Sequence, residues 1–288
     1  MASSTALLLF CLLGVFSPAW CQQQQEEETD VHTEDGEQSG QDDDWEGIPE
    51  EERYTVSGLI ERANKNAGQA LDDPEIIQGD VAVPTGLGNA DPCLTRGCKW
   101  PRSSDGNIYV PYLISNQYSA RERAVIVKGL QSFSQSTCIR FVPKSHHQRD
   151  YVHIQSRNGC WSFVGRRGGE QILSLRRGAC IYHMVVQHEL LHALGFNHEQ
   201  CRSDRDRHIH IYWQNIYQGF AYAFHRINTN NLGTPYDYSS IMHYGRYAFS
   251  SNRQPTIVPY PNPNVAIGRS TQMSANDILR VKRLYGCK

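Results

Sequence analysis

Apolar and polar residues alternate in the middle of the chain, as they do in strands that bury one face. The clearest alternation runs through residues 107–114, and shorter strand patterns follow at 138–142 and 151–155. A helical pattern separates the first two strands, because apolar residues recur at helical spacing after a capping box made by Ser119 and Glu122. The order strand, helix, strand, strand predicts a subdomain built on a mixed sheet.

Three other stretches have a helical pattern. Residues 54–71 can form a short amphipathic helix that ends before Pro74, and residues 182–194 and 275–285 are predicted to be helical as well. Ser274 with Asp277 can cap the last helix. The chain between the last two helices is rich in loops and aromatic residues, which indicates a second, lower subdomain.

The N-terminal 88 residues differ from the rest in composition. An apolar run within residues 1–21, followed by small residues, predicts a secretory signal peptide that is cleaved after Cys21. This run is too short for a membrane helix, and no later stretch is apolar enough to span a bilayer. We therefore expect a secreted, extracellular protein without a membrane span.

Charge is divided unevenly along the chain. Residues 22–52 contain fourteen acidic residues and no Lys or Arg, which predicts a segment that buries no core. Residues 89–288 hold eleven acidic and twenty-five basic residues, a formal charge of +14 that the near-neutral total conceals. The acidic segment can lie over the basic part by electrostatic attraction, and a merely solvating tail is an equal alternative.

The candidate chemistry lies in VVQHELLHALGFNHEQC, residues 185–201. His188 and His192 are four residues apart and share one helix face, with Glu189 beside them. Gly195 can adopt a positive φ, so that a turn brings His198 back toward the first two histidines. Three imidazoles predict one catalytic Zn²⁺ with a position open for water, whose proton Glu189 is placed to accept. A buried helix with incidental histidines is the alternative, which the fixed spacing disfavours.

The histidine motif and a second stretch, YDYSSIMHYGRYAFS at residues 236–250, together resemble the astacin family of secreted metzincin zinc metalloendopeptidases. The resemblance covers residues 89–288 and is greatest for the fish hatching enzymes, the choriolytic and nephrosin-like six-cysteine astacins. It implies an α+β, metzincin (zincin-like) catalytic domain of two subdomains, with a mixed, twisted N-terminal sheet and a deep zinc cleft. It further implies an acidic pro-segment with an aspartate switch at residues 22–88.

The resemblance also implies roles for residues outside the histidine motif. Tyr244 would ligate zinc in the resting mature enzyme and then hydrogen-bond the oxyanion, and Met242 would form an apolar floor beneath the histidines. Asp80 matches the aspartate that ligates zinc in latent pro-forms, although Ile77 replaces the usual Phe and an ordinary Gly-Asp turn stays possible. Residues 171–175 would be the edge strand that pairs with an extended substrate. His243 is interpreted as structural.

Activation and disulfide pairing are likewise implied by the resemblance. Cleavage after Gly88 would free Asn89, whose ammonium group reaches Glu199 through water, and a surface position for Glu199 is the alternative. A secreted chain should pair its cysteines. The implied pairs are Cys138 with Cys287, Cys160 with Cys180, and Cys93 with Cys98. Cys201 is left over as a free thiol, an intermolecular bridge or a sign of different pairing.

These features predict a zymogen that an activating protease converts into a monomeric endopeptidase, which can be stored in secretory granules. Its partners are extended proteins or peptides, and egg-envelope proteins are the favoured substrates. Four arginines flank residues 171–175 and suggest acidic substrates, although a solvated basic face is also possible: Arg166, Arg167, Arg176 and Arg177. No nucleic-acid motif is present. The alternatives are an immune or digestive protease, a non-catalytic adhesion or binding homologue, and an antimicrobial protein acting through charge.

Overall fold

The computed structural model describes residues 46–84 and 97–288. The predicted signal peptide, Asn89 and Cys93 lie outside these residues. The described α-helices are α1 (Glu50–Arg53), α2 (Val56–Ala63), α3 (Ala120–Ser136), α4 (His183–Ala193) and α5 (Ala275–Tyr285). The strands are β1 (Glu75–Ile77), β2 (Val81–Val83), β3 (Ile108–Ile114), β4 (Ile139–Pro143), β5 (Tyr151–Gln155), β6 (Cys160–Phe163), β7 (Glu170–Leu175), β8 (Ile209–Ile211) and β9 (Ile257–Pro259). No helix in these two ranges is long and apolar enough to cross a membrane.

Seven strands form one mixed sheet in the order β1-β2-β6-β7-β5-β3-β4. β4, β3, β5 and β7 run parallel to their neighbours, whereas β6 pairs antiparallel with β7. The first two strands belong to residues 46–84, here called the N-terminal segment, and β2 adds to β6 in parallel. β8 and β9 form a separate antiparallel pair. The mixed sheet and the α+β class are as predicted.

The prediction that residues 171–175 form the edge strand is wrong. β7 lies inside the sheet, between β6 and β5, and both of its edges are paired. β6, which the sequence pattern did not reveal, is the strand that has its outer edge covered by the N-terminal segment. Sheet order depends on pairing between distant segments, so a local hydrophobic pattern can locate a strand without locating its neighbours.

Local sequence signals set the helix ends. The Ser119 side chain accepts from the backbone of Glu122 while the Glu122 side chain accepts from the backbone of Ser119, and Ser274 and Asp277 do the same for α5. The helix predicted at 54–71 is real but shorter, because α2 ends at Ala63. Asn64, the residue that follows α2, forms hydrogen bonds to other parts of the chain, which are described below.

Buried apolar residues form two hydrophobic clusters, and the larger one takes in residues from both predicted subdomains. The larger one joins α2, α3, α4 and α5 to the inner face of the main sheet. The smaller one gathers aromatic and aliphatic residues between Ile209 and Ile267. α4 is buried from Val185 to Ala193, so its apolar residues face other elements all round. The helix that carries the histidines is thus packed within the larger cluster.

Two of the predicted disulfides are present. Cys138 bonds Cys287 and ties α3 to the end of α5, and Cys160 bonds Cys180 across β6 and the approach to α4. Cys98 is also disulfide-bonded, but Cys93 is not described, so that pairing stays a prediction. Cys201 is a free, fully buried thiol whose Sγ donates to Ala223 O at 3.3 Å. Burial raises the pKa of this thiol to about 12, so the free-thiol alternative describes it and it is inert.

Candidate metal centre

The end of α4 explains how the third histidine reaches the first two. Gly195 has a φ of 103°, in the left-handed region where a side chain would be strained. Its N–H donates to His192 O at 2.8 Å, and Phe196 N donates to Leu191 O at 3.0 Å, which is a Schellman motif. The chain therefore leaves the helix sharply and returns His198 to the cluster.

The three imidazoles meet at their Nε2 atoms. His188 Nε2 and His192 Nε2 are 3.2 Å apart. Each histidine is at most 2 % exposed. His188 Nδ1 lies 2.9 Å from Ile241 O and His192 Nδ1 lies 2.7 Å from Phe196 O. Because a carbonyl oxygen can only accept, both Nδ1 atoms carry the proton and both Nε2 lone pairs face the centre of the cluster.

A carboxylate of the N-terminal segment completes the cluster. Asp80 Oδ2 lies 2.9 Å from His188 Nε2, and Asp80 Oδ1 lies 3.1 Å from His198 Nε2 and 3.5 Å from His192 Nε2. The four ligand atoms all fall within 4.8 Å of one another. The carboxylate of Asp80 therefore faces the same point as the three Nε2 atoms.

These donors fit a zinc ion. Two imidazole lone pairs 3.2 Å apart repel each other unless a cation lies between them. Asp80 Oδ1 has no hydrogen-bond partner among residues 46–84 and 97–288, although it is buried. Imidazole nitrogens with one carboxylate oxygen, and second-layer carbonyls on the Nδ1 atoms, are the donor set that Zn²⁺ prefers.

Glu189 lies beside the cluster and is completely buried. Neither of its carboxylate oxygens has a hydrogen-bond partner within the described ranges. Burial, with the charge of Asp80 as a second cause, raises the pKa of Glu189 well above the usual value. A buried carboxyl without a hydrogen-bond partner, beside a candidate metal site, is a candidate for proton transfer with water or substrate.

The second motif packs against the first. The Tyr244 ring lies 4.6 Å from the His198 ring, centroid to centroid, and its hydroxyl donates to Gln78 O of the N-terminal segment. Met242 is buried in the larger hydrophobic cluster, and its carbonyl accepts from Glu199 N at 2.9 Å. His243 contacts Tyr236 OH at 2.8 Å through Nε2, a position away from the metal ligands that fits the structural interpretation.

Glu199 is 2 % exposed, so the surface alternative is wrong. Arg280 of α5 donates to both of its oxygens at 2.6 and 2.8 Å, and Arg202 and the backbone of Asp237 donate at 3.3 and 2.7 Å. Burial raises the pKa of Glu199 to about 7, and the two arginines oppose the rise. The carboxylate thus has partners in the uncleaved chain, which sequence reasoning missed because Arg280 lies 81 residues further on.

The N-terminal segment lies across the histidine cluster and the outer edge of β6, a surface here called the cleft. No sequence motif indicated its contacts there. Asn64 Nδ2 donates to Cys160 O at 2.7 Å and to Gly79 O at 2.6 Å, while Asn64 Oδ1 accepts from Cys160 N at 2.6 Å. A side chain on Gly159 would collide with Asn64 Oδ1, so glycine is needed for this approach. Ser162 N donates to Asp80 O at 3.0 Å. The outer edge of β6 is therefore paired with the N-terminal segment of the same chain.

The arginines predicted to favour acidic substrates are partly engaged elsewhere. Arg166 Nη1 lies 2.6 Å from Asp150 Oδ2, and Arg177 Nε lies 3.0 Å from Glu122 Oε2. They also flank β7, an interior strand, and not the edge. Two of the four arginines are thus engaged in ion pairs, and the preference for acidic substrates stays a prediction.

Comparisons with known proteins agree with this geometry. Residues 97–286 match the peptidase family described as Astacin. The low choriolytic enzyme of Oryzias latipes is 47 % identical over 84 % of this chain and 88 % of its own, and the high choriolytic enzyme 1 of the same fish is 43 % identical over 100 % and 99 %. The solved structure of high choriolytic enzyme 1, a hatching enzyme zinc-protease, matches with a TM-score of 0.65 and 50 % identity over 66 % of this chain and 96 % of that one.

Proposed function

Because the chain belongs to the astacin family of zinc metalloendopeptidases, we propose that it is the secreted, latent precursor of a protease that digests egg-envelope proteins at hatching. The observation that carries the proposal is the position of Asp80 inside the cluster of three histidines, with β2 along the edge of β6. The similarity to choriolytic enzymes supports the hatching role.

The proposal divides the chain into a signal peptide at residues 1–21, an acidic pro-segment at 22–88 and the protease domain at 89–288. His188, His192 and His198 hold the metal, and Asp80 adds a fourth ligand while the pro-segment is attached. An activating protease removes the segment and thereby vacates both the metal site and the β6 edge. The secreted product acts as a monomer on extracellular protein, and storage in secretory granules is compatible with its latency.

Catalysis then depends on groups that the segment had covered. Bound zinc supplies Lewis acidity, which lowers the pKa of a water molecule and polarises a carbonyl group. Glu189 accepts the proton of the attacking water and returns it to the leaving amine. Tyr244, released from Gln78, donates a hydrogen bond to the oxygen of the scissile carbonyl. The backbone groups of Cys160 and Ser162 bind the substrate as an added strand, which makes binding independent of most substrate side chains.

The mechanism is tested with the processed chain, residues 89–288, on a peptide library whose cleavage products are identified by mass spectrometry. A chelator and Glu189→Ala should each abolish cleavage, the substitution by about a thousandfold or more. Zinc content should stay at one ion in the Glu189→Ala protein, because Glu189 is not a ligand. If the zinc-loaded processed chain cuts no peptide, the endopeptidase mechanism fails and a binding role replaces it.

The hatching role needs a separate substrate. Isolated fish egg envelopes should lose protein to the processed chain and stay intact with the Glu189→Ala form. Envelopes that resist a chain active on peptides would contradict the hatching role alone, and would favour the immune or digestive alternative.

A further inference from the structure

A second concave surface lies where the end of α5 meets the end of α3, and none of its residues belongs to the metal centre. It encloses about 660 Å³ and is bounded by residues 102–107, 134–138, Arg140, Lys282 and Lys288. We call it the basic cavity. Its volume is in the range of sites that bind small ligands.

Cations dominate this cavity. Four basic residues, Arg102, Arg140, Lys282 and Lys288, line it together with one acidic residue, Asp105. Asn107 donates to Asp105 twice, from its side chain and its backbone, each at 2.9 Å, and Tyr109 OH donates at 2.7 Å. These hydrogen bonds lower the pKa of Asp105 to about 2 and engage its oxygens. None of the ion pairs formed within residues 46–84 and 97–288 involves any of these four cations.

The two arginines are held in place by the backbone. Arg102 Nη1 donates to Gly286 O at 2.7 Å, and the guanidinium lies so close to Gly106 and Gly286 that a Cβ there would meet it at 3.3 and 2.9 Å. Arg140 Nη1 donates to Thr137 O at 2.7 Å and to Ile139 O at 2.9 Å. Each guanidinium is anchored through one nitrogen, and its other N–H groups can donate to a ligand. Such preorganisation lowers the entropy lost on binding.

The rest of the lining identifies the chemistry of the ligand. Neutral hydroxyl and amide groups come from Ser103, Ser104, Asn107, Ser134 and Gln135, and no aliphatic or aromatic side chain is among the described residues of the cavity. Binding sites for drug-sized molecules are mostly apolar, so a lining as polar as this one disfavours an apolar ligand. A ligand with many hydroxyl groups and several negative charges matches both features of the lining.

We propose that the basic cavity binds a sulfated saccharide. Arg102, Arg140 and Lys282 donate to the sulfate oxygens, and the neutral side chains bond the sugar hydroxyls. The site lies apart from the cleft, so binding needs neither removal of the N-terminal segment nor catalysis. It would hold both the uncleaved and the processed protein on sulfated glycans.

The test is calorimetric titration of the full chain with a sulfated heparin tetrasaccharide and with the same tetrasaccharide after desulfation. The sulfated form should bind and the desulfated form should not. Arg140→Gln and Lys282→Gln should each weaken binding about tenfold, since each removes a charged donor. Lys128→Gln makes the same change of charge on the exposed face of α3 outside the cavity, and should leave the affinity unchanged.

Unfolding temperatures near that of the wild type would show that the variants are folded. An equal loss for Lys128→Gln would overturn the proposal, because general charge attraction would then explain the binding. Unchanged affinity in both cavity variants, or equal binding of the desulfated tetrasaccharide, would overturn it as well. Displacement of the tetrasaccharide by a phosphoserine peptide of equal affinity would contradict the saccharide class.

Discussion

The hydroxyl group of Tyr244 is held by Gln78, a residue of the N-terminal segment, while Asp80 occupies the histidine cluster. If the segment leaves, that hydroxyl becomes free to donate to a reacting carbonyl oxygen. A donor of this kind acts on the transition state more than on the bound substrate. Loss of the Tyr244 hydroxyl should therefore lower the turnover rate and have little effect on substrate affinity.

We predict that Tyr244→Phe in the processed chain lowers kcat about a hundredfold or more and leaves KM nearly unchanged. Steady-state kinetics on a fluorogenic peptide measure both constants. Tyr236→Phe removes a buried hydroxyl that bonds His243 instead, and should keep kcat near the wild-type value. A Tyr244→Phe enzyme with normal kcat and a raised KM would assign Tyr244 to substrate binding.

Arg280 is the residue on which the buried Glu199 depends most. We predict that Arg280→Gln lowers the free energy of unfolding of the full chain by about 3–5 kcal/mol. The buried Glu199 carboxyl then loses its two-pronged donor and must either stay charged without it or take up a proton. Urea unfolding measures the loss. Arg283→Gln changes a neighbouring exposed residue that donates to the carbonyl of Leu232 at 2.7 Å, and should cost about 1 kcal/mol or less. Equal losses of unfolding free energy in the two variants would mean that the Arg280–Glu199 ion pair stabilises the protein no more than the exposed hydrogen bond of Arg283.

Single residues also show where sequence reasoning stops. The spacing of His188, His192 and His198 is a local signal, and it was sufficient to predict that the three imidazoles come together. Asn64 and Arg280 carry no such signal, since their partners are 96 and 81 residues away. Their polar groups meet only after the sheet and α5 are assembled, so no pattern along the chain predicts them.

Among the elements, those defined by local chemistry were predicted well. The capping boxes of α3 and α5 and the alternation in β3 specify their elements within a few residues. β6 was missed and β7 was wrongly assigned to the edge. A strand of four residues such as β6, with three of them buried, has too little alternation to identify it. Which strand lies at the edge is decided by pairings across the chain.

The contact between α3 and α4 is unusually close at one point, and it supports the histidine helix. A Cβ on Gly129 of α3 would collide with Val186 Cγ1 of α4. We predict that Gly129→Ala lowers the free energy of unfolding by about 1–3 kcal/mol, although alanine is the better helix former. Thermal unfolding of the full chain tests the prediction.

Two control variants show whether the loss comes from the helix contact. Gly129→Ala combined with Val186→Ala should recover part of the stability relative to the sum of the single changes, because the second change makes room for the new methyl group. Ser134→Ala, on the exposed side of α3, should be neutral or slightly stabilising. A stabilising Gly129→Ala would mean that the two helices can separate at no cost.

For the whole molecule, the question is what keeps the N-terminal segment in the cleft. Charged pairs join it to the rest, at the exposed rim between Asp72 and Arg157, and between the buried Glu52 and Arg269. Hydrogen bonds hold it inside, where the Asn64 amide bonds both backbone groups of Cys160. Asp72 is 71 % exposed, and solvent screens such a pair strongly. The interior contacts should therefore dominate latency.

We predict that Asn64→Ala raises the activity of the uncleaved chain on a small peptide about tenfold or more, because Cys160 N and O lose their partner and the β6 edge opens more often. Asp72→Asn should leave that activity close to the wild-type value. Both variants need a blocked activation site, so that no processed enzyme contributes to the rate. Raised salt should change the wild-type activity little, since the interior hydrogen bonds are screened least. If Asp72→Asn or salt releases activity while Asn64→Ala does not, electrostatic attraction at the rim maintains latency, as the opposite charges of residues 22–88 and 89–288 alone would suggest.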